Sequence, residues 1–179
     1  MFKIETERLI VRDMKVEDEV PFIAISQDAK YQRFYDEQDC EPSKYKQLTH
    51  LFIEQAQENP RKNFQLAIEL KATNEFIGTI CLRVEPDFQA SMGGGLSRSH
   101  QGHHFIQEAG ISLIDFAFQE LNIHRIYAET ISENKAAIKL CEQLGMRREA
   151  LFKDHRYFKS RWWDTVVLAM LESDFRHVK

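Results

Sequence analysis

What the chain has little of narrows its class first. It carries three cysteines in 179 residues, Cys40, Cys81 and Cys141, odd in number and widely spaced. That excludes a disulfide framework or a zinc ribbon as its organising device. It has four prolines, seven glycines, no low-complexity tract and no internal repeat. With nowhere to divide it, a single domain over 1–179 is expected. No apolar run approaches the roughly 18 residues that a membrane-crossing helix needs. The opening "MFKIETERLIVRD" is charged from its third residue, unlike a signal peptide, so the cytoplasm is the expected location. A basic excess is also missing: the formal charge of −4 speaks against a dedicated nucleic-acid binder.

What remains is an ordinary globular composition, 43% hydrophobic and 29% charged. "RLIVRDM" reads as a strand. "KVEDEVPFIAISQ" reads as a helix with acidic residues in its first turn. A second helix is expected over 43–58, with Leu48, Leu51, Phe52 and Ala56 on its apolar face and Asn59-Pro60 closing it. The period then changes to two. "FQLAIEL" and "FIGTICLRV" around the turn "KATNE" make a hairpin over 64–84. "FQASMGGGL", 88–96, is a further strand weakened by three glycines, which allow either a bulge or a close approach of ligand to backbone.

Helical spacing returns over 102–121, where Ile106, Ala109, Gly110, Leu113 and Ala117 share a face. "HRIYAETI" is a strand, and "ENKAAIKLCEQLG" is a helix stopped by Gly145. A basic aromatic turn, "FKDHRYFKSRWWD", precedes the strand "TVVLAML". The order implies an α/β (α+β) fold, a mixed and mostly antiparallel sheet with helices on both faces. Ligands in open sheets sit where strands diverge near a helix start. That points to "SHQGHHFIQEAG", 99–110.

Three histidines, His100, His103 and His104, crowd this stretch. No acidic or cysteine partner stands at ligand spacing, and adjacent His103 and His104 would point apart. Polar residues on a wet loop are therefore expected rather than a metal site.

Three segments together resemble one family. "ETERLIVRDMKVED" (5–18), "QGHHFIQEAGISLIDFAFQELNIHRIYAETISENKAAIKLCEQLGM" (101–146) and "FKDHRYFKSRWWDTVVLAML" (152–171) are similar, in order, to segments of the RimJ/RimL-type GNAT N-acetyltransferases. The most specific stretch is 121–146. The resemblance implies the GNAT fold and transfer of an acetyl group from acetyl-CoA to a primary amine, by direct attack in a ternary complex. The acceptor class stays open among protein N-termini, polyamines, amino acids and aminoglycosides, and a homodimer stays open too. The resemblance also implies that Leu96, Ser97, Gly102, His103, His104, Phe105 and Ile106 bind acetyl-CoA, with Asn134 contacting its pantetheine arm.

The departures from the family pattern are specific. Ser99 stands where members carry Gln or Arg, and His104 replaces a second small residue of the phosphate loop. A β-carbon there penalises a left-handed backbone but does not forbid a loop with ordinary dihedrals at 104. Ser91 occupies the usual acidic position of the thioester strand, and Gly94-Gly95 the aromatic ones. Cys141 lies at the position of the leaving-group tyrosine, and Ala137 at that of a helix serine. Cys141 and Ser91 are the candidate catalytic residues. For Cys141 the plain alternative is a core thiol, since Ala137, Leu140 and Leu144 share its face. A mechanism resting on proximity, backbone polarisation of the thioester carbonyl and a relaying water tolerates these losses. The alternative is a CoA-binding GNAT-fold protein with little catalysis, acting as an interaction module. A third reading gives the basic 153–161 segment an RNA contact.

Overall fold

A computed structural model describes residues 1–175. Its centre is one eight-stranded sheet in the order β1-β2-β3-β4-β5-β6-β8-β7. The strands are β1 Lys3–Glu5, β2 Leu9–Asp13, β3 Asn63–Leu70, β4 Phe76–Glu85, β5 Gln89–Leu96, β6 Arg125–Ile131, β7 Arg147–Phe158 and β8 Arg161–Leu171. The helices are α1 Glu19–Ser26, α2 Pro42–Gln55, α3 Phe105–Glu120, α4 Lys135–Gln143 and the short α5 Glu172–Phe175. Every strand pairing is antiparallel except β5 with β6. No helix of the described residues is long and apolar enough to cross a membrane.

The alternating strands bury one side of the sheet against α3 and α4, in a core of Leu66, Ile68, Ile80, Leu82, Leu113 and Ile126 among others. The other side carries α1 and α2 over a smaller core of Met14, Phe22, Tyr45 and Ala67. Helices thus cover both faces, as expected.

Acidic residues stand at the start of α1 as expected, Glu19 in its first turn and Glu17 and Asp18 just before it. Asp18 accepts two bonds from the Arg12 guanidinium, at 2.7 and 2.9 Å, and one from Lys15 N at 2.8 Å. Three local expectations are corrected. Leu51 is 43% exposed, because the face α2 turns inward runs through Tyr45, Leu48, Thr49 and Phe52. The glycines of β5 make no bulge, and their pairing with β4 is in unbroken register from Gly78↔Leu96 to Glu85↔Gln89. The segment expected as an aromatic turn is mostly strand, β7 and β8 reversing only at Lys159-Ser160, whose φ values are 51° and 56°. Polar residues on both faces of β7, an outer strand at the sheet's end, hid its period.

Candidate active site

β5 and β6 pair only over Gln89–Ser91 and Arg125–Tyr127. Beyond that β5 runs on to Leu96 and β6 to Ile131 without a ladder between them. The sheet opens there into a V. β6 keeps its shape because its other edge pairs with β8 along its whole length.

Two cavities meet at this opening. One, about 170 Å³, lies on the α3/α4 side between Ile106, Gly110, Asn134, Ala137, Leu140 and Cys141. The other, about 410 Å³, lies on the α1/α2 side, floored by Phe22, Tyr45, Leu48 and Phe52. Tyr35, Ile80, Met92, Gly93, Gly94 and Glu129 line both. A β-carbon on Gly94 would stand 2.7 Å from Thr79 O and 3.3 Å from Ile106 Cδ1, so that glycine is required by space. At Gly93 only Cys81 Sγ comes near, at 3.7 Å, which leaves its backbone approachable.

The loop before α3 leads into Ile106 and Gly110, which line the narrower cavity. Gly102 has φ +83°, a conformation natural to glycine. His104, the residue before the helix, is also left-handed, at φ 62° and ψ 13°. Of the two conformations left open at 104 the loop takes the penalised one: it keeps the shape a glycine would take, and histidine is among the residues that tolerate it. No side chain caps α3, so its first backbone N–H groups are left without a side-chain partner, the arrangement in which helix starts can bind anions. Arg8 and Glu108 brace the loop from outside. Arg8 Nη1 donates to His103 O at 3.1 Å, and the guanidinium stacks 4.6 Å over Phe105. Glu108 accepts from Thr6 Oγ1 at 2.5 Å, Arg8 N at 2.9 Å and Arg8 Nε at 2.7 Å. Burial raises the pKa of Glu108, but these bonds outweigh it and hold the carboxyl below its usual value.

The three histidines go to three different partners. His100 Nδ1 meets Ser97 Oγ at 2.6 Å, the His103 ring packs on Phe105, and His104 Nδ1 meets Gln107 Oε1 at 3.0 Å. Among the described residues no group of three His, Cys, Asp or Glu is placed to hold a metal ion.

The remaining positions singled out from sequence divide between the cavities. Ile106, Asn134 and Cys141 line the narrow one, and Ser91 lines the wide one, so the two candidate catalytic residues lie in different cavities. Leu96 is buried at the end of β5, and Ser97 bonds within its own turn to His100. The Asn134 side chain accepts from Ala137 N at 3.2 Å as the cap of α4. Burial pushes the Cys141 thiol up to about 11. In the basic segment, Lys153 is held by Asp164, Arg161 by Glu133, and Lys159 by the carbonyls of Gln32 and Arg33.

Sequence reasoning missed Glu129, Tyr31 and Tyr35. The exposed Glu129 side lies on the face of β6 that also carries Tyr127, whose hydroxyl donates to Glu85 at 3.0 and 3.1 Å. Tyr31 and Tyr35 stack with centroids 5.3 Å apart at the cavity mouth. The available signal was "RIYAETI": Ile126, Ala128 and Ile131 mark the buried positions, leaving a carboxylate on a strand that stops pairing.

Comparison with known proteins agrees with this geometry. The family description "Acetyltransferase (GNAT) domain" matches residues 8–147. The chain is 28% identical over 178 residues to the uncharacterized N-acetyltransferase p20 of Bacillus licheniformis, covering 98% of this chain and 99% of that one. Among solved structures, the ribosomal α-N-protein acetyltransferase RimL in complex with coenzyme A superimposes with a TM-score of 0.83 at 18% identity, covering 95% and 98% of the two chains. Spermidine N-acetyltransferase of Vibrio cholerae, in complex with CoA and spermine, does so with a TM-score of 0.80 at 20% identity, covering 96% and 99%. The splayed strands, the uncapped helix start and the sequence match over 8–147 have one reading: this chain belongs to the GNAT family of N-acetyltransferases, which move acetyl groups from acetyl-CoA to amines.

Proposed function

We propose that this protein acetylates a primary amine that enters from the α1/α2 side, with acetyl-CoA held on the α3/α4 side. The observation that carries the reading is the meeting of the two cavities at Gly93, Gly94 and Glu129. The cradle fits the co-substrate: backbone N–H groups at 103–107 take the pyrophosphate, and the pantetheine arm follows the open edge of β5 past Ile106 and Asn134. A backbone N–H of 92–94, on the edge of β5 that β6 leaves free, polarises the thioester carbonyl.

On the acceptor side, Glu129 takes a proton from the ammonium. The freed amine attacks the acetyl carbon, the C–N bond forms, and the C–S bond breaks to release the thiolate. The second amine proton reaches that thiolate through water. Cys141 is a poor donor for this step. Transfer from a thiol near 11 to a thiolate whose conjugate acid is near about 8.5 is uphill by roughly 3 kcal/mol. Cys141 serves as a wall of the pantetheine channel, and Ser91 as a neutral polar group beside Tyr127.

The test is thiol release over a panel of amines, alongside calorimetry with acetyl-CoA. Glu129→Gln is expected to lower kcat/KM on the best amine by roughly 10²-fold or more while leaving CoA affinity within about twofold. CoA binding without turnover on any amine would instead establish the binding-module alternative.

A further inference from the structure

One cation in the wide cavity stands without a counter-ion. Arg83 on β4 lines it with an exposed side chain, and among the described residues its guanidinium has no ion pair or hydrogen bond. Arg125, the arginine on the facing strand, is by contrast held by Gln89 at 2.7 Å and by Glu149. The nearest acid on Arg83's own strand, Glu85, is engaged by the Tyr127 hydroxyl.

Register shows where Arg83 reaches. Arg83 pairs with Ser91 and Ser91 with Tyr127, one lateral row across β4, β5 and β6. Cys81 and Gly93 form the next row along, and Glu129 lies two residues beyond Tyr127 on the same face. At about 4.8 Å between strands, β4 and β6 stand roughly 10 Å apart at the Arg83 row and further apart at the Glu129 row, where β5 and β6 diverge, so Arg83 and Glu129 stand on opposite sides of the opening. Burial raises the Cys81 thiol pKa, and the charge of Arg83 counters that rise. Gln65, buried on β3 opposite Cys81, lines the same wall with an amide that has no hydrogen-bond partner among the described residues. Below them Phe22, Tyr45, Leu48 and Phe52 make an apolar floor.

A wall with one carboxylate, one unpaired guanidinium and a free amide above an aromatic floor is matched by a ligand with an ammonium, a carboxylate and an apolar body. We propose that the acceptor is a free α-amino acid with an aromatic or branched apolar side chain. Its ammonium faces Glu129, its carboxylate is bound by Arg83 with Gln65 beside it, and its side chain rests on the floor. The proposal rests on the acetyl-transfer reading and names its substrate class. A polyamine would set a second ammonium where the cavity offers an arginine. A peptide N-terminus would replace the carboxylate with an amide and forgo the charge-assisted contact to Arg83.

Three acceptors sharing one ring decide it: L-phenylalanine, L-phenylalaninamide and phenethylamine, followed by thiol release with the wild type, Arg83→Gln and Arg83→Lys. The expected result is a wild-type preference in kcat/KM for the acid over the amide. In Arg83→Gln that acid-to-amide ratio falls at least tenfold, mainly through KM, and Arg83→Lys restores part of it. Unchanged acetyl-CoA affinity by calorimetry shows that the variants fold. A ratio indifferent to Arg83, or turnover of the amide and phenethylamine without the acid, overturns the proposal and leaves acetyl transfer standing. No thiol release with any of the three also overturns it, and spermidine and an alanine-initiated peptide then report whether acetyl transfer itself survives.

Discussion

His104 has the least comfortable backbone at the site. A left-handed L-residue costs about 1–2 kcal/mol, and His104 bears that cost beside Gly102, where glycine avoids it. Its ring makes one local contact, to Gln107, and is otherwise exposed. His104→Gly removes strain and also loosens the unfolded chain, so the net gain is smaller than the strain itself. Stability is expected to rise by about 0.5–1 kcal/mol, seen as a Tm higher by about 1–4 °C. Because the loop already holds the shape that binds, acetyl-CoA affinity should change by less than about threefold. A fall in Tm would mean that the histidine braces the loop rather than strains it.

One scale up, the start of α3 is fastened to the β1–β2 connection by Glu108 and Arg8, an interaction spanning about a hundred residues of sequence. The carboxyl of Glu108 titrates lower in the folded protein than in the unfolded chain. Its contribution is therefore fully present above the unfolded value of about 4.3 and is lost as pH falls through the folded one. Glu108→Gln is expected to cost about 1–2 kcal/mol at pH 7, discounted for the part-exposed Arg8 side chain, and to cost progressively less as pH falls through the lowered value of the folded carboxyl. Denaturant unfolding across that range reads it, and acetyl-CoA affinity at pH 7 should weaken with it. An equal cost across that range would show that the charge is not what matters.

Elements of this kind were only partly legible in the chain. The period of two in β3, β4 and β5 and the period of 3.6 in α3 and α4 follow directly from which side chains must be buried. Motif spacing places the helix start at the loop. The Arg8–Glu108 brace left no sequence signal, because neither residue knows its partner until the strands assemble. Glu129 was hidden for a related reason: a polar strand residue reads as solvent-facing unless one knows that the neighbouring strand diverges. Tyr31 and Tyr35 lie between α1 and α2, where no periodicity announces what the chain covers.

At the scale of the whole molecule, the sheet separates two compartments and lets them touch through one gap. On the proposed function both substrates reach Gly93 from opposite faces, so neither would have to leave before the other enters. The alternative, a covalent acetyl-enzyme, needs a nucleophile at the gap. The thiols nearest it are Cys81 in the wide cavity and Cys141 in the narrow one, and burial raises both above their usual pKa. At neutral pH both are held as thiols, the unreactive form. Initial-velocity plots at several fixed amine concentrations should therefore intersect rather than run parallel. Intact-protein mass spectrometry after incubation with acetyl-CoA alone should find no added acetyl group. A stoichiometric acetyl adduct that discharges on adding amine would overturn direct attack and would give one of these cysteines the work assigned here to geometry.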